Sequence, residues 1–350
     1  MADYTTLDDA GSFFNPVLYT GTGSSLAITG VGFQPDLTWI KGRSFVGSHK
    51  LTDAVRGVTE ELESNTTIAE NTEANGLTAF GADGFTVGSN ADYNTSSATL
   101  VAWNWKAGTT TGIAGSPSIT PSSYSFNQTC GFSIIAYTGN YTAGATVPHG
   151  LGVAPKMIIV KRLDTSADWM FYNKGMDATA PEDYYMVLNT YGARVDSTII
   201  WNDTAPTSTL FSIGTSTNVN GNTNTYIAYC FADVQGFSKF GGYQGNANAD
   251  GPFVYTGFRP AYVLLKRTAV ADSWNLFDSK RLGYNWDNEK LAPNNTSVGQ
   301  TSNDFILLLS NGFKLTTTNT AINNSGELNI YAAFAEAPFV NSEGVPVGAR

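Results

Sequence analysis

The sequence predicts an all-β protein made of three tandem β-sandwich repeats, of the jelly-roll or lectin-like kind, each about 100 residues long. The first observation is composition. Only 14% of the residues are charged and 42% are hydrophobic, whereas an average globular protein is about 25% charged. Ser, Thr, Asn and Gly must therefore cover the surface, which suits strands better than helices. The other two observations are short apolar runs rich in β-branched residues and a threefold recurrence of one motif.

The recurring motif is a glycine turn, a proline, an apolar run and a lysine. It reads TGVGFQPDLTWIKGR from Thr29, HGLGVAPKMIIVKR from His149 and YTGFRPAYVLLKR from Tyr255. The landmarks that keep the same spacings of 120 and then 105 residues are Pro35, Pro155 and Pro260, then Lys41, Lys161 and Lys266, then Leu51, Phe171 and Leu276. Landmarks in one order and one register indicate an internal repeat.

The landmarks divide the chain into three segments. The predicted bounds are an N-terminal segment 1–12, a first segment 13–108, a linker 109–129, a second segment 130–235, a third segment 236–340 and a C-terminal tail 341–350. The linker is assigned because it is rich in Gly, Ser, Thr and Pro and has no apolar period. We expect the second and third segments to pack as a pair and the first to be more independent.

Within a segment the pattern predicts strands throughout. LTWIK, MIIVKR and YVLLKR are short apolar runs bounded by turn signals, as expected of strands buried on both faces. The preceding proline suits the start of a strand, where its missing N–H breaks no ladder bond. The only stretch compatible with a helix is residues 55–74, where we expect at most one short helix.

Charge excludes two classes of partner. The net charge is −10 and no basic run is longer than a Lys-Arg pair, so nucleic acid and anionic membranes are not expected as partners. No segment approaches the roughly 20 apolar residues of a membrane span, and the acidic N-terminus does not resemble an export signal. We therefore expect no membrane insertion, synthesis in a reducing cytoplasm, and free thiols at Cys130 and Cys230.

Several of these motifs together resemble a known family. YTGN, HGLGVAPKMIIVKR, DWMFYN, the long string from NTYIAYCF to YVLLKR and the closing YAAFAEAPF are similar to a repeat family in virion proteins of tailed bacteriophages, especially those of marine bacteria and cyanobacteria. The similarity runs from about residue 13 to 340, and the long central string is its most specific part. The function of that family is poorly characterised.

The resemblance implies a non-enzymatic structural protein on the surface of a phage particle. The leading expectation is a tail-fibre or adhesin-type protein that attaches to host-surface glycans, with other virion proteins and further copies of itself as partners, in a homo-oligomer such as a trimer. One alternative is a capsid decoration or head-fibre protein with no host ligand. A second alternative is a tailspike-type glycan hydrolase.

No catalytic residue and no cofactor is predicted. His49 and His149 occupy non-equivalent positions, far in sequence from any Asp/Cys cluster, which disfavours a zinc site or a Ser-His-Asp triad. The carboxylates that could serve a glycosidase are Glu60, Glu61 and Glu63, Glu182 and Asp183, and Asp287 and Glu289. Their turn-like settings favour plain solvation, and sequence does not show the spacing of about 5–9.5 Å that such chemistry needs.

Two ligand sites are weaker candidates. Asn246, Asn248 and Asp250 copy the first half of a calcium loop, but Gly257 stands where a bidentate Glu should be, so a plain turn is the better interpretation. Trp201 and Trp286 lie in polar, loop-like surroundings where an aromatic face could stack on a sugar, although core or interface packing is the commoner role. Asp53 with Arg56, and Asp278 with Arg281, predict an ion pair or a turn hydrogen bond inside the fold, repeated in two segments.

Overall fold

The structure, a computed structural model, describes residues 4–281, 285, 288–303 and 305–347. It is 42% strand and 6% helix, which confirms an all-β fold with several sheets. Every helix is a single turn of three or four residues. Among the described residues, none of the helices has the length and apolar character needed to cross a membrane.

The described residues form twenty-seven strands. The first segment contains β1 Phe14–Thr20, β2 Leu26–Thr29, β3 Leu37–Gly42, β4 Lys50–Asp53, β5 Glu60–Glu63, β6 Asn71–Thr72, β7 Leu77–Gly81, β8 Gly84–Val87 and β9 Thr99–Trp105. The second contains β10 Ser123–Asn127, β11 Phe132–Thr138, β12 Ala145–Pro148, β13 Met157–Arg162, β14 Met170–Asn173, β15 Tyr184–Val187, β16 Val195–Asp196, β17 Leu210–Ile213 and β18 Thr225–Phe231. The third contains β19 Ser238–Gln244, β20 Phe253–Tyr255, β21 Phe258–Arg267, β22 Asn275–Asp278, β23 Asn288–Lys290, β24 Gln300–Asn303, β25 Ile306–Leu309, β26 Gly312–Leu315 and β27 Leu328–Pro338. The α-helical turns are α1 Ala91–Asn94, α2 Thr198–Trp201 and α3 Thr320–Asn323, and the 3-10 turns are Ala10–Ser12, Lys174–Met176 and Pro181–Asp183.

Each segment forms one large antiparallel sheet. The orders are β1-β9-β3-β4-β5-β6, then β10-β11-β18-β13-β14-β15-β16, then β19-β27-β21-β22. In all three, the last strand of the segment, β9, β18 or β27, lies between strand β1, β11 or β19 and the strand that carries the apolar run, β3, β13 or β21. Smaller sheets, β2-β8-β7, β12-β17 and β20-β26-β25, form separately, and two-stranded β23-β24 lies beside the third large sheet.

Backbone hydrogen bonds show which positions correspond between the three large sheets. The same bond joins the Ala54 amide to the Asp36 carbonyl at 2.8 Å, Lys174 to Lys156 at 2.8 Å and Ser279 to Ala261 at 2.9 Å. The strand pairs Leu37 with Asp53, Met157 with Asn173 and Tyr262 with Asp278 keep this register. Residues can therefore be compared position by position across the segments.

One hydrophobic core is shared by all three segments. At its centre three aromatic rings from corresponding positions, Trp105, Phe231 and Phe334, contact one another with centroid distances of 6.3, 5.5 and 5.6 Å. Each lies on an interior strand of its sheet, β9, β18 or β27, and is buried. The arrangement places the three large sheets around one pseudo-threefold axis. The expectation that the first segment would be more independent is therefore wrong.

Three buried lysines close the sheets into a ring. The Lys41 Nζ donates to the carbonyl of Thr296 at 3.2 Å, Lys161 to that of Thr67 at 2.9 Å and Lys266 to that of Tyr191 at 3.3 Å. The first segment thus reaches the third, the second reaches the first and the third reaches the second. Burial lowers the pKa of each ammonium to about 8. Lysines that end the apolar runs therefore hold the segments together.

Two local expectations are corrected by the structure. Residues 55–74 contain β5 and β6 instead of a helix. Glu61 and Glu63, two residues apart on β5, lie on the same face of the strand, and both bond to Lys50 of β4. The last part of the predicted linker 109–129 forms β10, which pairs with β11. Ser125 and Phe126 of this strand are buried against the first two segments, so tertiary contact overrides the linker-like composition.

Candidate functional site

The repeated Asp-Arg pair lies inside the fold, at contacts between segments. The Arg56 Nε is 2.6 Å from Asp53 Oδ2, and the hydroxyl of Tyr229 from the second segment donates to the same oxygen at 2.8 Å. The backbone amides of Val55 and Arg56 donate to the other oxygen of Asp53. Asp53 is fully buried. All acceptor positions of this carboxylate serve the fold, which leaves it no role in binding a substrate.

The matching pair in the third segment is bonded in the same way. Asp278 accepts from Arg281 Nε at 2.5 Å and from the indole of Trp103 at 2.9 Å. Arg281 also lies with its guanidinium 5.6 Å from the centre of the Trp103 ring. The prediction of an ion pair repeated in two segments is thus confirmed. The third contact between segments has no such ion pair among the described residues. There Asn173 takes the place of the Asp, Met176 that of the Arg, and Ala332 that of the aromatic donor.

The glutamates considered for a glycosidase are bound within the fold. Glu61 and Glu63 lie 2.9 and 2.7 Å from the Lys50 ammonium, and Glu61 also accepts a hydrogen bond from Tyr93 at 3.0 Å. Glu289, 5% exposed, pairs with Arg43 at 2.6 Å. Plain solvation was therefore wrong for Glu61 and Glu289. Asp287 lies outside the described residues.

Both histidines are buried and serve as hydrogen-bonding core residues. His49 accepts the indole hydrogen of Trp39 at Nδ1, 3.0 Å away, and burial holds its pKa well below 6.5. His149 accepts from the Leu151 amide at Nδ1 and donates from Nε2 to the Thr207 carbonyl. Within the described part of the chain, no three His, Cys, Asp or Glu side chains are grouped to hold a metal ion.

A pH titration should report the environment of His149. Burial lowers the pKa of this imidazole from 6.5 to about 4. The unfolded chain therefore binds the proton more readily, so the stability due to the neutral ring is complete above pH 6.5 and is lost as the pH falls towards 4. We expect the imidazole nitrogen resonances in NMR spectra to stay in the neutral pattern at pH 6. A His149 midpoint near 6.5 would contradict this.

The two thiols should be inert in the folded protein. Cys130 and Cys230 are free and buried, and burial raises the pKa of each thiol to about 12. Because only the thiolate reacts quickly with disulfide reagents, we expect no modification by Ellman's reagent at pH 8 and two equivalents after denaturation in urea. Rapid reaction of one thiol without denaturant would contradict the packing.

Of the two tryptophans predicted as loop aromatics, the structure describes Trp201. Trp201 is 2% exposed, in α2, and packs edge-on against Tyr172 at 6.0 Å between ring centres. It is a core residue, because the single helical turn brings it under the second large sheet. A sugar could not stack on it. Trp286 lies outside the described residues.

The calcium candidates form a turn in which backbone amides use the side-chain oxygens. Asn246 Oδ1 accepts from the Asn248 amide at 3.0 Å, and Asn248 Oδ1 accepts from the Asp250 amide at 2.9 Å. Asp250 is paired with Lys314. This geometry supports the plain turn that the sequence favoured.

The concave surface best suited to a ligand lies between the second and third segments. It is an open groove of about 710 Å³, within the range of about 300–1,000 Å³ usual for ligand sites. The charged side chains that line it are Lys156, Lys174, Arg194 and Lys239, together with Asp177 and Asp233. We call this surface the basic groove. Its charged residues are separated by up to 83 positions in the chain, so sequence reasoning missed it.

The basic groove has a net positive charge in an acidic protein. Arg194 pairs with Asp177 at 3.3 Å and Lys239 with Asp233 at 3.2 Å, whereas no described residue forms an ion pair with Lys156 or Lys174. Desolvation, together with the charges of Lys174 and Lys239, lowers the pKa of Lys156. The groove therefore offers uncompensated positive charge to a ligand.

Comparison with known proteins identifies a family but no activity. The model of the family DUF7483, described as a domain of unknown function, matches residues 9–338. A search of the curated proteins found no match.

Proposed function

The chain belongs to DUF7483, a family of unknown function. For this member we propose, from the motif resemblance and the fold, that it is a non-enzymatic structural protein of a bacteriophage virion. It would be displayed on the particle surface as a tail-fibre or adhesin-type protein and contribute to attachment to host-surface glycans. We further propose that the chain is three tandem β-sandwich repeats of the jelly-roll or lectin-like kind. The common strand order of the three large sheets supports this finer description.

The observation that supports the proposal is that several buried ionisable groups are bonded within the fold. Asp53, Asp278 and Glu61 are buried and bonded to Arg, Lys, Trp or Tyr side chains. The bonds from Tyr229 to Asp53 and from Trp103 to Asp278 join different segments. Such groups stabilise a rigid scaffold, while loops and grooves on its surface remain available for recognition. The motif resemblance to phage virion repeats supports the placement on a particle.

Mass spectrometry of purified particles of the phage that encodes the chain tests the proposal. We expect the protein to be present in particles and to be labelled by antibody at the tail in electron micrographs. Absence from particles would overturn the virion role. Labelling of heads would favour capsid decoration instead, and release of reducing sugar from host envelope polysaccharide would favour a tailspike-type hydrolase.

A further inference from the structure

The three segments provide an internal comparison for the basic groove. Lys156 corresponds to Asp36 in the first segment and to Ala261 in the third, because all three carbonyls accept the same backbone hydrogen bond. By the same bond, Lys174 corresponds to Ala54 and Ser279. The fold thus accepts an acidic or a small neutral residue at the position of Lys156 and small neutral residues at that of Lys174. The two lysines are not needed to build the sheet, and their convergence at one contact calls for another explanation.

Arg194 is held in place before any ligand binds. Its guanidinium lies 4.3 Å from the centre of the Tyr184 ring, and its Nη1 bonds to the carbonyl of Met176 and to Asp177. A planar guanidinium fixed in this way presents its remaining N–H groups to a planar or tetrahedral oxyanion. Lys156 and Lys174 supply mobile charges on the same groove.

The floor of the groove disfavours an extended peptide. Strand β19 is the edge of the third large sheet, and an acidic peptide could otherwise pair with it. At Gly241 and Gly242, however, the backbone of Gly175 lies directly against this edge, since a Cβ on Gly175 would be 2.1 Å from the Gly241 carbonyl carbon. Strand addition is therefore blocked where the cations converge, whereas a saccharide needs no free strand edge.

We propose that the basic groove binds acidic saccharides, through carboxylate or sulfate groups held by Lys156, Lys174 and Arg194. This assignment rests on the proposed role in glycan attachment and specifies its ligand class. Neutral sugars would lack the charge that the groove complements. Binding should weaken with added salt, because the contacting cations are partly exposed.

Fluorescence-monitored titration of the full chain tests the assignment, with oligogalacturonate, dextran sulfate, neutral dextran, poly-glutamate and inorganic phosphate as probes. The groove variant is Lys156→Ala with Lys174→Ser, which installs the residues of the third segment. The control is Lys280→Ser with Lys314→Ala, which removes the same charge from positions outside the groove lining. Equal melting temperatures for both variants and the original protein show that the fold is kept.

We expect one or both acidic saccharides to bind, and their affinity to fall on the order of a hundredfold in the groove variant, about tenfold for each lost charged contact. The control variant should lose less than threefold in affinity, roughly the effect of a distant surface charge.

Equal loss of affinity in both variants, or no saccharide binding, overturns the site. If poly-glutamate binds as tightly as the saccharides, the assignment to saccharides is overturned. If inorganic phosphate competes as strongly as the saccharides, the groove is a general anion site and the assignment is likewise overturned. Detection of the protein in particles is a separate measurement, so failure of the virion role can be recognised independently.

Discussion

Replacing Phe334 with alanine is expected to lower the free energy of unfolding by about 3–5 kcal/mol, the usual cost of emptying a buried aromatic site. Phe334 is 2% exposed and contacts Trp105 and Phe231 at the pseudo-threefold axis. Because one core serves the three sheets, the loss should affect the whole chain in one cooperative transition. Urea unfolding followed by tryptophan fluorescence measures it.

The control for this variant is Phe253→Ala. Phe253 is 46% exposed, so its removal should change stability by no more than about 1 kcal/mol. Hydrogen exchange then tests whether the core is shared. Exchange that increases only in the third segment of the Phe334 variant would show that the three sheets are stabilised separately.

Replacing Asp53 with asparagine should destabilise the protein by about 3 kcal/mol, because the buried Arg56 guanidinium loses its nearest counter-charge and keeps the more distant Glu70, 3.4 Å away. The arginine lies 2.6 Å from the carboxylate, in a site closed by Tyr229. Thermal and urea unfolding at pH 7 measure the loss.

Adding Arg56→Met to Asp53→Asn should recover about half or more of that loss, although it removes a second charged group. The second segment supplies the reason, since Asn173 and Met176 occupy the corresponding buried positions without an ion pair. An additive cost of the two changes would contradict this explanation and indicate that Arg56 acts independently of Asp53.

The sequence predicted those parts of the fold that depend on local patterns. The apolar runs after Pro35, Pro155 and Pro260 form interior strands of the three large sheets, because a short apolar run rich in β-branched residues is a signal that acts within a few residues. Burial of Lys41 was not predictable in this way. Its charge is satisfied by a carbonyl 255 positions away, and a lysine at the end of an apolar run normally reaches solvent.

The candidate site was less predictable for the same reason. Trp201 was expected in a loop because its sequence neighbours are polar, yet α2 turns it into the core. No ligand-binding motif marks Lys156 or Lys239 in the sequence, and only the contact of two segments brings them to one groove. Comparing the three segments position by position would have marked Lys156 as unusual, since its counterparts are Asp36 and Ala261.

The ring closed by Lys41, Lys161 and Lys266 gives each molecule a single copy of each surface between its segments. A trimer of identical subunits carries every surface three times, and its three weak sites reinforce one another on a polymeric ligand. Here one polypeptide fills all three positions with different residues, so each molecule is monovalent for the surface between its second and third segments. Under the attachment role proposed above, avidity comes from the number of chains on a particle, and the affinity of one molecule underestimates the strength of attachment.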